Sequence, residues 1–248
     1  MPENTAHDTA TPDAAAQPHA AIVLAGGRAS RLDGADKASI QIDGRMLLDH
    51  ALAAVVGCAP VIVVGPPHLA TAPGRTAMTL VREDPPFTGP VAAIDAALKA
   101  LEVDTVLARG NCAGTRAKFE NRPRASTFPS SRHPRRAPNQ PDETWLLACD
   151  LPRAAEVVAT LSAAIPPDFD AAVLVDAAGR RQWLAGRYRT ASLRSAVGAL
   201  PDTAGASMRQ LLANIRVHDV PDESGASTDL DTWTAIDDYR SKREDTHG

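Results

Sequence analysis

Residues 22–37 read IVLAGGRASRLDGADK, and the order of residue types in that stretch decides the fold. Ile22, Val23 and Leu24 form a run with no polar face, the pattern of a strand covered on both sides. The run ends in a glycine pair, Gly26 and Gly27. The cations Arg31 and Lys37 follow, with Asp36 beside the lysine. Glycine lets the main chain approach a ligand closely and adopt positive φ. A strand that feeds a loop of exposed N–H groups, with fixed positive charge just behind, suits a polyphosphate. Arg31 presents a planar fork to phosphate oxygens, and Lys37 a mobile point charge. Neither GxxxxGK followed by Ser or Thr nor GxGxxG is present, so this is a different kind of phosphate loop. A plain strand–turn–helix joint would explain the two glycines. It would not explain the ordered set Ser30, Arg31, Gly34, Asp36 and Lys37.

Outward from that segment, apolar runs at 21–25, 61–65, 79–82, 145–149, 171–175, 183–188 and 215–220 predict strands. Ala- and Leu-rich segments at 45–57, 90–101, 154–164, 190–199, 205–213 and 231–241 predict helices. Their alternation predicts βαβ units in an α/β fold, a Rossmann-like three-layer sandwich around a mainly parallel sheet. The spacing shortens near 183–188, where an antiparallel strand is expected.

The chain has 248 residues, enough for one domain with a substantial core, expected over 20–241. Its formal charge of −4 gives no general reason to expect a nucleic-acid partner. No segment is long and apolar enough to span a bilayer, so no membrane partner is expected. Cys58, Cys112 and Cys149 are scattered and form no CxxC pair, which fits a reducing cytoplasm. Residues 1–19 lack the basic start and apolar middle of a signal peptide and read as a flexible tail. Residues 109–142 hold five prolines and eight Lys or Arg against two acids, a local charge of +6 that leaves −10 on the rest. That stretch reads as a disordered basic insertion, with a docking arm for an anionic partner as the sharper and weaker alternative. Deleting 110–141 is expected to leave fold and activity near normal; loss of soluble protein would show that the segment is structural.

Three further segments carry chemistry. WLLACDLP, Trp145–Pro152, places the Asp150 carboxylate at the carboxyl end of a strand that Pro152 stops. Open α/β sheets bind ligands at that edge. An isolated Asp there would be a turn or N-cap residue. Beside a polyphosphate loop it reads as a Mg²⁺ ligand, because Mg²⁺ takes one or two carboxylates together with phosphate oxygens and water. REDPPFTGPVAAI, Arg82–Ile94, reads either as a loop with a well-formed helix start or as a loop facing a base or ribose. In STDLDTWTAIDDY, Ser227–Tyr239, Asp231 either caps the last helix or joins Asp229 in bringing a second carboxylate to the metal.

These four segments, in this order, resemble the MobA-like nucleotidyltransferases, a family that includes the molybdenum cofactor guanylyltransferases. The family's opening motif, LAGGxSxRxxGxDK, is followed here from Leu24 to Lys37. Its GP-rich loop is similar to Gly89–Ile94, its metal strand to Ala148–Pro152, and its closing segment to Asp229–Thr232. RRQWLAGRYR, residues 180–189, is similar to the family's acceptor-side strand, with Trp183 where relatives often carry Pro. Leu32 likewise stands where relatives often carry Met.

The resemblance implies the fold of the nucleotide-diphospho-sugar transferases. It also implies transfer of GMP from GTP to molybdopterin with release of pyrophosphate. Leu24, Ala25, Gly26 and Gly27 would hold base and phosphates, Arg31 and Lys37 would neutralise the triphosphate, and Asp84 would lie near the nucleoside. Asp150 and Asp231 would hold Mg²⁺. Two alternatives stand beside this reading. One is a transferase of the same fold using CTP or a sugar-phosphate acceptor. The other is a non-catalytic nucleotide-binding accessory protein, which the presence of a metal carboxylate argues against.

Overall fold

The structure, a computed structural model, describes residues 19–27, 32, 35–71, 78–111 and 141–247. Its centre is a seven-stranded sheet. The strands are β1 (Ala20–Leu24), β4 (Val61–Val64), β5 (Thr79–Val81), β6 (Glu143–Ala148), β7 (Ala171–Val175), β8 (Arg181–Arg189) and β9 (Val217–Pro221), in the order β5-β4-β1-β6-β8-β7-β9. Only β8 runs antiparallel to its neighbours, β6 and β7, as its short connections require. The short strands β2 (Gln41–Ile42) and β3 (Arg45–Met46) make a separate hairpin.

Side chains alternate across each strand and so divide between two cores. Ala21, Val23, Val63, Leu147 and Leu174 face α1 (Leu47–Ala54) and α3 (Ala154–Thr160). Ile22, Ile62, Leu146 and Val173 face α2 (Pro90–Asn111), α4 (Thr190–Gly198) and α5 (Met208–Leu211). This is the three-layer α/β sandwich that the sequence predicts. A third cluster, with Leu32, Ile42, Leu47, Leu230 and Ile236, joins the hairpin to α6 (Trp233–His247). Among the described residues, no helix is long and apolar enough to cross a membrane.

The expected insertion and tail differ from the sequence reading at three boundaries. α2 runs ten residues past the expected end at Leu101, taking in Arg109–Asn111 from the expected insertion. At its other end, Pro141 is buried and the Asp142 carbonyl accepts from Thr190 N at 2.9 Å. Residues 112–140 of the expected insertion, and 1–18 of the expected tail, lie outside the described residues. His19 belongs to the fold: its carbonyl accepts from Ala59 N at 2.9 Å, and its Nε2 lies 3.2 Å from Arg187 Nη2.

Candidate active site

β1 and β6 are parallel neighbours in a register that sets Leu24 beside Ala148, so both chains leave the sheet at the same edge. Ala25 N donates to Val64 O at 2.8 Å and Cys149 N to Leu24 O at 3.0 Å, which fixes the two exits side by side. A cleft of about 400 Å³ opens at this edge, between Leu24–Gly27, Asp36 and Lys37 on one side and Ala148–Asp150 on the other. Glu83, Phe87, Gly89, Leu184 and Asp231 complete its wall. Gly27 has φ +155°, and among the described residues nothing stands within 4 Å of the place a Cβ would take.

Lys37 rides on a 3₁₀ turn, Lys37–Ser39. The preceding Asp36 caps that turn. Its carboxylate accepts from Ala38 N (3.3 Å), from Ser39 Oγ and from His68 Nε2 (2.7 Å). Burial alone would raise the Asp36 pKa. The hydrogen bonds from Ser39 and His68 outweigh that and hold it below the ordinary carboxylate range. The turn delivers Lys37 Nζ onto Asp150 Oδ2 as a hydrogen-bonded ion pair. Residues 113 positions apart in the chain thus meet at the strand ends.

Asp150 is buried, and its second oxygen, Oδ1, has no hydrogen-bond partner among the described residues. A buried carboxylate oxygen without a donor is costly unless a cation or another donor satisfies it. Leu230 N donates to the Asp150 carbonyl at 3.1 Å, which brings the Asp229–Asp231 segment alongside. Asp222 supports that segment by accepting from Ala226 N (2.9 Å), Ser227 N (2.8 Å) and Ser227 Oγ (2.6 Å). Asp229 is exposed as a residue, yet its carboxyl pKa is raised, first by desolvation of the carboxyl and then by the charges of Asp150 and Asp231. Mutually repelling carboxylates beside an unpartnered oxygen fit a divalent cation. Among the described residues, no three acidic, His or Cys side chains already form a metal cage. Mg²⁺ takes one or two carboxylates and fills its shell with water and substrate phosphate. Burial pushes the Cys149 thiol far up, so it stays protonated and is no nucleophile.

The cleft therefore brings together Leu24, Ala25, Gly26, Gly27, Lys37, Asp150 and Asp231. Arg31 lies outside the described residues. Asp84 is exposed and does not line the cleft; its neighbour Glu83 does. Trp183 packs instead into the α2/α4 core, with its carbonyl accepting from Tyr188 Oη at 2.7 Å and the Arg181 guanidinium 5.5 Å from its ring. The register between β7 and β8 jumps here, from Val173 beside Gly186 to Leu174 beside Gln182. This bulge releases Trp183–Ala185 from the β7 ladder, and Leu184 reaches the cleft.

A three-layer α/β sheet with a glycine strip, a lysine and a buried carboxylate at its carboxyl edge defines a class of phosphate-ligand proteins. Known proteins narrow it. Residues 21–220 match the MobA-like NTP transferase domain, and the chain belongs to that family. The molybdenum cofactor guanylyltransferase of Vibrio cholerae is 31% identical over 85 residues, which span 34% of this chain and 42% of that protein. Molybdopterin-guanine dinucleotide biosynthesis protein A from Archaeoglobus fulgidus shares the fold at TM-score 0.58 and 14% identity, covering 91% of this chain and 99% of that one. So does 2-C-methyl-D-erythritol 4-phosphate cytidylyltransferase from Thermus thermophilus, at TM-score 0.53 and 17% identity over 92% and 99% of the two chains.

Proposed function

We propose that this protein is a nucleotidyltransferase that joins GMP from GTP to the phosphate of molybdopterin and releases pyrophosphate. The observation that carries this reading is the Lys37–Asp150 pair at the mouth of the glycine strip, with Asp150 Oδ1 buried and unpartnered among the described residues. The family and the Vibrio cholerae relative's name support the choice of base and acceptor.

In this reading the main chain of Leu24–Gly27 holds the base edge and the phosphates. Lys37, joined by Arg31, neutralises charge on the triphosphate. Asp150 and Asp231 hold Mg²⁺, with Asp229 adding negative charge beside them. Bound there, Mg²⁺ supplies positive charge that polarises the α-phosphoryl group. An oxygen of the acceptor phosphate bonds to the α-phosphorus, the bond from the α-phosphorus to the bridging oxygen breaks, and pyrophosphate leaves with that electron pair. The nucleophile is already anionic, so no side chain has to take a proton. The protein's work is alignment in a fixed cleft and stabilisation of charge on the leaving pyrophosphate.

The test is pyrophosphate release from each of four nucleoside triphosphates in the presence of Mg²⁺ and molybdopterin. GTP is expected to turn over fastest. Lys37→Ala and Asp150→Asn are expected to lower its turnover by about 10²-fold or more, with both variants folded. Wild-type rates in both would remove the assignment. A second reading, cytidylyl transfer to another phosphorylated acceptor, draws on the shared fold of the Thermus thermophilus cytidylyltransferase. Faster turnover of CTP than of GTP would favour it.

A further inference from the structure

Phe87 is costly as the fold holds it. Its φ is +64°, a left-handed conformation that a bulky side chain rarely adopts. The residue is 51% exposed, so burial returns little for the strain. The conformation is nevertheless fixed from several sides. Phe87 N donates to Glu83 Oε1 at 2.9 Å, and Thr88 Oγ1 donates to Pro85 O at 3.0 Å. The Thr88 carbonyl accepts from Gly205 N at 2.7 Å, which ties the loop to the α4–α5 connection. The Arg82 guanidinium sits 5.4 Å from the ring centroid. Strain that the surroundings enforce, at a residue that gains nothing from burial, points to a ligand.

That ligand shares the cleft that Phe87 lines with Leu24–Gly27 and Lys37. Lys37 and Asp150 provide for phosphates, and the glycine strip offers main-chain groups. Among the described residues that line the cleft, Phe87 is the one aromatic ring. We propose that Phe87 is the stacking platform for the donor nucleobase. This rests on the nucleotidyltransferase reading and deepens it.

The donor base is a better occupant than a heterocyclic acceptor because of where the loop is rooted. Phe87 follows β5, which lies with β4 on one side of β1, whereas β6 and the cleft-lining Leu184 of β8 lie on the other. The glycine strip after β1 and the Phe87 loop after β5 thus reach the cleft from one side, and Asp150 and Leu184 from the other. A ring face also tolerates any base, so Phe87 supplies affinity and leaves the choice of base to the edge contacts.

Equilibrium binding of GTP, CTP and inorganic tripolyphosphate, each with Mg²⁺, to the full chain tests this. Phe87→Ala is expected to weaken both nucleotides by about 10-fold or more, the effect of removing a base–aromatic stack. It should leave tripolyphosphate, which has no base, at its wild-type affinity. Phe87→Tyr should bind nucleotides like the wild type. Phe87→Gly suits the backbone, so it should keep the wild-type melting temperature while losing nucleotide affinity as Phe87→Ala does. Unchanged nucleotide affinity in Phe87→Ala overturns the proposal, including where affinity for a pterin acceptor falls instead. So does an equal loss for nucleotide and tripolyphosphate, which would mean the loop had collapsed. A wild-type protein that binds no nucleoside triphosphate sinks the nucleotidyltransferase reading itself, and this proposal with it.

Discussion

The Asp36 carboxylate gathers three donors, and the geometry of Lys37 depends on them. His68 is one donor, reaching in from the 3₁₀ turn Pro67–Thr71 after β4, at 2.7 Å. Nothing about His68 suggests a chemical step, since it meets Asp36 and does not line the cleft. It steadies the cap that presents Lys37. His68→Ala is therefore expected to lower kcat/KM by about 10-fold, the scale of one hydrogen bond to a charged group, while an exposed side chain leaves stability almost unchanged. His68→Gln keeps a donor and should recover part of the loss. Paired measurements of kcat/KM and melting temperature decide it; full activity in His68→Ala would show that Asp36 holds the turn unaided. Asp150 was legible in the sequence because it stands directly after an apolar run, and Lys37 because it closes the ordered motif that begins at Leu24. His68, Phe87 and Leu184 were not, because they reach the site from separate loops and strands. Glu83 and not Asp84 lines the cleft, because beyond the end of β5 loop bends and not strand alternation set the side-chain direction.

At the scale of elements, strands apolar on both faces were the clearest signal, and helix ends the weakest. α3 stops at Thr160, four residues before its expected end, for a reason invisible in its own sequence. Arg187, on β8, donates through Nη1 to the carbonyls of Leu161 (3.3 Å), Ser162 (2.9 Å) and Ala163 (3.1 Å), which would otherwise be left unpaired past the helix. The same buried guanidinium is ion-paired with buried Glu143 and lies 5.4 Å from the Trp145 ring centroid. One side chain therefore joins the end of α3 to the starts of β6 and β1. Arg187→Ala removes the cap and strands a buried carboxylate, and it is expected to cost about 3–5 kcal/mol. At roughly 2–4 °C per kcal/mol for a chain of this size, the melting temperature should fall by about 6–20 °C. Replacing the pair together, Glu143→Leu with Arg187→Met, should cost less than Arg187→Ala alone. A double variant weaker than the single would mean that the stranded Glu143 charge is not the source of the loss. The β2–β3 hairpin escaped notice because its strands are two residues each, although its Asp43–Gly44 turn, with φ of +52° and +73°, is a strong hairpin signal.

Over the whole molecule, composition and family motifs revealed the architecture, but not how its charges couple to folding. Several groups titrate differently in the folded chain. Burial would raise the carboxyls of Asp170 and Asp222, but hydrogen bonds outweigh it: from Arg216 and Ser192 to Asp170, and from Ser227, Ala226 and Gly225 to Asp222. Both end below the ordinary value of 3.8. His19 is pushed below its ordinary 6.5, first by burial and then by Arg187. In each case the unfolded chain binds the proton more readily, so stability rises with pH across the interval between the folded and unfolded values. The sign predicts a two-stage loss on acidification. A first, small decline begins as pH falls below about 6.5, where His19 becomes easier to protonate in the unfolded chain. A steeper one sets in below about 3.8, where the carboxylates lose their bonds. Asp229 opposes the trend: its carboxyl is raised, so acid relieves a repulsion in the fold. Chemical denaturation at pH 7, 5 and 3 measures the balance, and stability that climbs from pH 5 to 3 would show that repulsion dominates. Asp222→Asn isolates the second stage. It should cost on the order of 1 kcal/mol at pH 7, a value trimmed by partial exposure, and progressively less as acid titrates the wild-type carboxyl too. Because Asp222 anchors the run into Asp229 and Asp231, this variant should also lose activity at pH 7 by more than its stability loss explains.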